Sequence, residues 1–254
     1  MEIYNASGKL KTPENLQVTK PIGALFIKSD LPLTGLTNET ISIDVERVDG
    51  NNESIAINIP LLDFILSTTH GNTFVDTTDG FSAMCEIAGF GSVELEENAS
   101  IRIALSNLKS ANNYEIHGIE YPIFRVEALK FDKKVINSEH TNQELFLDDA
   151  DLVIVQGSEA ITSAQVKYDN GEIVKRSLLE LQALQHDLDP VIGQGTGENG
   201  ELILPSTFPD ILIINTVGVD SIDFEKTTAK GLKLTLMNAF DLVDVDGDGE
   251  YDNV

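Results

Sequence analysis

The chain has 254 residues, with 42 acidic against 17 basic side chains, a formal charge of −25, one cysteine and no tryptophan. A field of that sign repels phosphate backbones and anionic headgroups, so direct nucleic-acid binding is disfavoured; it suits solubility, or divalent cations shared as counter-ions. Cys85 alone excludes an internal disulfide and argues against a thiolate metal cluster, and the length allows one large domain or two of about 125 residues with cores of Ile, Leu, Val and Phe.

Residues 1–20 are polar, carry Lys9, Lys11 and Lys20, and read as an extended arm that is either docked or frayed. The opening Met1-Glu-Ile-Tyr-Asn5 lacks the basic start and apolar stretch of a secretion signal. No apolar run approaches the length of a membrane helix, so the expectation is a protein made in the cytosol that does not insert into a membrane. Pro21–Ile27 begins the first strand and Asp30–Gly35 breaks it. Ile41–Val48 alternates as a strand, Asp49–Asn52 turns, and Pro60-Leu-Leu-Asp-Phe-Ile-Leu66 reads as a short helix. Residues 70–80 form a loop, strands resume at 81–88 and 92–108, and Tyr114–Tyr121 closes the first half, with a boundary at Pro122–Leu129.

In the second half Ala128–Asp132, Leu145–Leu147 and Leu152–Val155 read as strands. Ile161–Tyr168 is then followed by the turn Asp169-Asn-Gly171 and the helix Ser177-Leu-Leu-Glu-Leu-Gln-Ala-Leu184, which repeats the strand, turn and helix of residues 41–66. After the glycine-rich loop Gly193–Gly200 come Leu202–Leu204 and Ile211–Ile214. A second echo closes the chain: Ser221–Ala239 reproduces Ser92–Leu108, with Ser92, Glu96, Leu105 and Asn107 meeting Ser221, Glu225, Leu236 and Asn238. Both copies read as β-hairpins. The helices are offset by 177 − 60 = 117 and the hairpins by 221 − 92 = 129. Such a period is too long for a solenoid and is that of a small domain. The expectation is all-β: an arm at 1–20, β-sandwich domains at 21–125 and 126–243, each with one short helix, and an acidic tail at 244–254.

Most motifs that suggest chemistry fail on context. Gly193-x-Gly-x-Gly197 lacks the strand before and helix after that a dinucleotide cradle needs. In Val75–Gly80, Thr78 stands where an aspartic-protease motif requires Gly. His70, His117, His140 and His186 have no metal-type spacing; His70 and His186 fall near predicted helix ends, where a cation complements the dipole. Cys85 sits in an apolar run as an inert thiol. No catalytic residue is expected, and the absence of Trp counts against a carbohydrate-active jelly roll. The tail does carry a physical argument. Asp244, Asp246, Asp248, Gly249 and Asp252 match positions 1, 3, 5, 6 and 9 of a calcium loop, with Glu250 beside them. Hard oxygens at alternate positions suit Ca²⁺, but the chain stops before the bidentate position 12, and a solvated acidic tail is the other reading.

The two echo pairs, 41–66 with 161–184 and 92–108 with 221–239, give the chain a pattern that resembles the double jelly-roll major capsid proteins of tailless, membrane-containing icosahedral bacteriophages of the corticovirus type. The resemblance implies two tandem eight-stranded jelly rolls and a homotrimer of pseudo-hexagonal outline that tiles a virion shell over an internal membrane. It also implies calcium support of the lattice. Neighbouring capsomers, a penton, and minor capsid or membrane proteins would be the partners. Of the rivals, a calcium-dependent adhesin or spike module predicts a monomer, and a carbohydrate-active enzyme predicts a cleft with aromatic platforms.

Overall fold

A computed structural model of the chain describes all residues except 1, 13–15, 49, 69–73, 90, 126, 189–194, 197–201, 204–209 and 242–254. The described residues fall into two compact units, one within Met1–Thr68, Thr73–Lys130 and Ala239–Val254, the other within Thr69–Asn72 and Phe131–Asn238.

The first unit contains β1 (Glu2–Ser7), β2 (Gln17–Val18), β3 (Ala24–Ser29), β4 (Thr40–Glu46) and β5 (Glu53–Pro60), which runs into helix α1 (Leu61–Thr68). Then come β6 (Phe74–Thr77), β7 (Gly80–Glu86), β8 (Ser92–Val93), β9 (Ser100–Ser106), β10 (Asn113–Ile119) and β11 (Phe124–Arg125). Strand β12 (Glu127–Ile136) begins in this unit and ends in the second. There follow β13 (Asn142–Phe146), β14 (Leu152–Gln156), β15 (Ile161–Tyr168), β16 (Ile173–Ser177) and helix α2 (Leu178–Leu188). The short strands β17 (Gly195–Thr196) and β18 (Leu202–Ile203) precede β19 (Ile211–Asn215), β20 (Val219–Lys226) and β21 (Leu232–Asp241).

Alternation decides which face of each strand is buried. In the first unit one sheet runs β1-β10-β3-β7-β6, and a second set runs β5-β4-β9-β2. Along β4, Ile41, Ile43 and Val45 stand opposite Leu105, Ile103 and Ile101 of β9, and all six are buried. Each such side chain removed from water stabilises by about 1.5–3 kcal/mol. The intervening residues face outward, where Arg102 bonds Asp44 at 2.9 Å and Glu46 at 3.3 Å. Gly23 lets two chain segments touch, since a Cβ there would lie 1.6 Å from the Gly91 carbonyl oxygen. The arm is docked along its described residues: β1 pairs with β10, and Thr12 exchanges hydrogen bonds with Leu105.

In the second unit β13-β20-β15-β16 forms one sheet, and β14 lies between β19 and β21. Ala164, Val166, Ile222 and Phe224 from the first set meet Val153, Val155, Leu212, Ile214 and Leu234 from the second in one core. The units are built alike. Strand β4 lies between β5 and β9 as β15 lies between β16 and β20, and β3 lies between β7 and β10 as β14 lies between β19 and β21. The strand–turn–strand–helix echo is therefore a true structural equivalence, its helices starting 178 − 61 = 117 residues apart.

The hairpin echo is corrected. Strand β8 pairs in parallel with β11, not with β9. Strand β20 pairs with β13 and β15, whereas β21 pairs with β14 in the other sheet. Neither copy is a hairpin, because the turn at 227–231 carries the chain from one sheet to the other. The true partners are β9 with β20 and β10 with β21, both starting 119 residues apart (219 − 100 and 232 − 113). Alternation marks strands but not their partners, so the match slipped by one strand. The loop expected at 70–80 contains β6, and the glycine-rich loop contains β17, paired with β18.

Two buried groups give tests of this packing. Lys226, 4% exposed, donates from Nζ to the carbonyls of Ser138, Thr227 and Lys230 at 3.1, 3.1 and 2.9 Å. Lys226→Met leaves those acceptors unpaired and should cost about 2 kcal/mol, seen as a lower urea midpoint with an unchanged slope. Cys85 is fully buried, and burial pushes its thiol up to about 12. It should react with a thiol reagent only at the rate of unfolding; prompt reaction in native buffer would contradict this core.

Candidate assembly surface

The two equivalent helices differ in what they leave exposed. All eight residues of α1 are buried within the chain. Its first N–H is satisfied by the Glu39 carbonyl at 2.8 Å, and Ser67 and Thr68 bond back to Phe64 and Asp63 carbonyls at its end. In α2 the box Ser177-Leu-Leu-Glu180 caps the start: Ser177 donates from N and Oγ to Glu180 at 2.6 and 2.7 Å, and Glu180 N donates back to Ser177 Oγ at 3.3 Å. Leu181 and Gln185 face inward, and Gln185 accepts from Ile213 N at 3.3 Å, satisfying a donor on edge strand β19. Leu179 points outward at 75% exposed, and Leu184 is 41% exposed.

Beside Leu184 the second unit has an open hollow of about 330 Å³, lined by Tyr168, Arg176, Leu181, Leu184, Ile213 and Val217 among others. Val217, in the turn between β19 and β20, is 66% exposed, and Ile173 on the edge strand β16 is exposed as well. Other basic groups of the second unit are held in ion pairs. Lys175 bonds Glu225 at 2.8 Å, Lys167 bonds Asp220 at 2.7 Å, and Lys230 bonds Glu159 and Asp210. Arg176 joins no ion pair among the described residues, and it adds a weak electrostatic pull on Glu180. The hydrogen bonds of Lys175 and Ser163 hold Glu225 below the ordinary carboxylate range. The hollow thus joins apolar walls to a guanidinium that forms no ion pair among the described residues.

The motif residues of the sequence are placed as follows. Asp244, Asp246, Asp248, Glu250 and Asp252 lie outside the described residues, as does His70. Among the described residues no group of three or more His, Cys, Asp or Glu could hold a metal ion. Asp76, of the protease-like stretch, is used structurally: it accepts from Leu33 N at 3.0 Å. His117 lies edge-on to Phe26 and 3.5 Å from Glu115, and His140 sits beside Glu139 on the surface. No described helix is long and apolar enough to cross a membrane. The hollow itself was not foreseen. No sequence motif signals it, because its lining residues come from α2, β16, β19 and the turns around them.

No protein-family model matches the sequence, and no characterised relative matches it. Solved structures do match the fold over almost the whole chain. The major capsid protein P2 of bacteriophage PM2 matches at 13% identity and a TM-score of 0.51, covering 97% of this chain and 96% of that one. The STIV major capsid protein matches at 12% identity and a TM-score of 0.50, with the same coverage. The fold is the double jelly roll. The two equivalent units described above are its two jelly rolls, and the helix after the second strand of each β4–β5 or β15–β16 pair is common to both.

The cap on α2 yields a pH test. The hydrogen bonds from Ser177 hold the Glu180 carboxylate below its ordinary 4.5. A depressed folded-state value means the contribution is full above the ordinary value and is lost as pH falls through the lowered one. Glu180→Gln should lower the melting temperature at neutral pH, and its difference from wild type should shrink as pH falls below 4.5.

Proposed function

We propose that this chain is a major capsid protein, a structural subunit of a virion shell. The single observation that carries the reading is the end-to-end match, 97% of this chain against 96% of each of two major capsid proteins, with both jelly rolls included. Two similar domains in three copies present six similar edges, so the assembly unit is a homotrimer of pseudo-hexagonal outline. These trimers tile an icosahedral bacteriophage shell over an internal membrane, contacting neighbouring capsomers, a penton, and minor capsid or membrane proteins. The expected division into arm, two domains and acidic tail belongs to the same reading. The hollow lined by Leu181, Leu184, Ile213 and Val217 supports a role in assembly, because apolar surface gathered in one place marks interaction sites.

Calcium belongs to this proposal through the tail. Asp244, Asp246, Asp248, Glu250 and Asp252 supply hard oxygens, and the ion would offset repulsion between subunits of charge −25. Light scattering coupled to size exclusion, in calcium and in chelator, tests both parts. A species of three times 27.7 kDa is expected, and it should weaken in chelator and in the variant Asp246→Asn/Asp248→Asn. A monomer at every concentration contradicts the shell subunit. A trimer indifferent to chelator and to the variant contradicts the calcium role alone.

A further inference from the structure

The hollow beside α2 has an occupant that its chemistry specifies. We infer that it receives an apolar side chain flanked by carboxylates from a second copy of this chain, with Arg176 pairing the carboxylate; this rests on the shell-subunit reading above. Three observations converge on it. The hollow is apolar on the sides formed by Leu181, Leu184, Ile213 and Val217, and open at about 330 Å³, so it buries side chains rather than holding an ion.

Arg176 is the second observation. It stands at the edge of the hollow without an ion pair among the described residues, while the neighbouring Lys167 and Lys175 are already bonded to Asp220 and Glu225. In a chain with 42 acidic residues against 17 basic ones, a guanidinium outside any ion pair among the described residues is complementary to the carboxylates that dominate another copy's charge. Its fork suits a carboxylate in a partly dry contact.

The third is the internal duplication. In α1, the equivalent helix, the whole surface is covered by its own chain. In α2 Leu184, which lines the hollow, is 41% exposed. The same element in the same fold is covered throughout in one unit and, among the described residues, only partly covered in the other. A partner copy supplies that cover in trans.

The experiment uses the full chain and one introduced thiol. Val217→Cys places a reactive group on the exposed rim of the hollow, and Cys85 contributes no background because it is fully buried. Maleimide labelling is followed in the oligomer and in diluted, dissociated chain. Labelling should slow by about tenfold or more in the oligomer, as for a residue in a desolvated interface centre. Arg176→Glu, which folds around an already exposed edge strand, should weaken self-association by at least about tenfold through like-charge contact. Equal labelling rates in a wild-type-like oligomer and in dissociated chain overturn this inference and leave the shell-subunit reading standing. A wild-type chain that stays monomeric at all concentrations overturns both. An oligomer in which only an added, different protein protects Val217→Cys also overturns it, since the partner would then not be a second copy.

Discussion

Strand β4 carries Ile41, Ile43 and Val45 inward, each opposite a buried residue of β9, and the first unit depends on that register. A slip of one residue would turn all three to solvent and bring Ser42 and Asp44 into the core. The outward pairs guard against this slip, because Arg102 meets Asp44 and Glu46 only in the native register. Strand β15 plays the same part in the second unit. There Ala164 and Val166 face Phe224 and Ile222, while Ser163 and Lys175 hold Glu225 on the outer side. The apolar pairs supply most of the energy and the polar pairs select among registers.

Duplication preserved this frame and released its surfaces. The equivalent helices both follow a strand–turn–strand, but their residues have diverged: Leu61–Thr68 has a run of Phe64, Ile65 and Leu66 after its Leu-Leu start, whereas Leu178–Leu188 mixes Leu with Glu and Gln. Helix α1 could therefore become a buried part of its unit, and α2 a half-buried ridge. The ridge is anchored by Gln185 on Ile213 N and by a capping box at Ser177. One copy of the motif thus serves the core, and the other keeps a partly exposed face.

Charge is used in an unequal way. With 17 basic side chains against 42 acidic ones, cations are scarce, and most of those in the second unit are held in place. Lys134 ties β12 to the turn at Asp148, Lys230 ties its turn to those at Glu159 and Asp210, and Lys226 is drawn inside to three carbonyls of the 138 and 227–230 turns. That interior ammonium holds together the crossing from β20 to β21, the connection that carries the chain from one sheet to the other. The surplus of carboxylates gives the chain a net negative field, which makes copies of it repel one another.

How much was legible in the sequence follows from which interactions are local. Alternation at Ile41–Val45 and Ile161–Val166, the turn residues between, and the Leu-Leu pairs at 61–62 and 178–179 are local signals, and they determined the all-β class, the two helices and the duplication. Strand partnership is not local. Ser92–Leu108 and Ser221–Ala239 alternate like hairpins, yet β8 pairs with β11, and β20 and β21 join different sheets. The period of two is blind to which neighbour supplies the hydrogen bonds, and only the packed arrangement chooses it. The hollow is of the same kind: Tyr168, Arg176, Leu184 and Val217 come from separate segments with no common motif. The sequence by itself determined which faces must be buried, because that is written residue by residue. Tertiary structure alone decided which strands share an edge and which apolar side chains were left uncovered, because both depend on what the rest of the chain has already occupied.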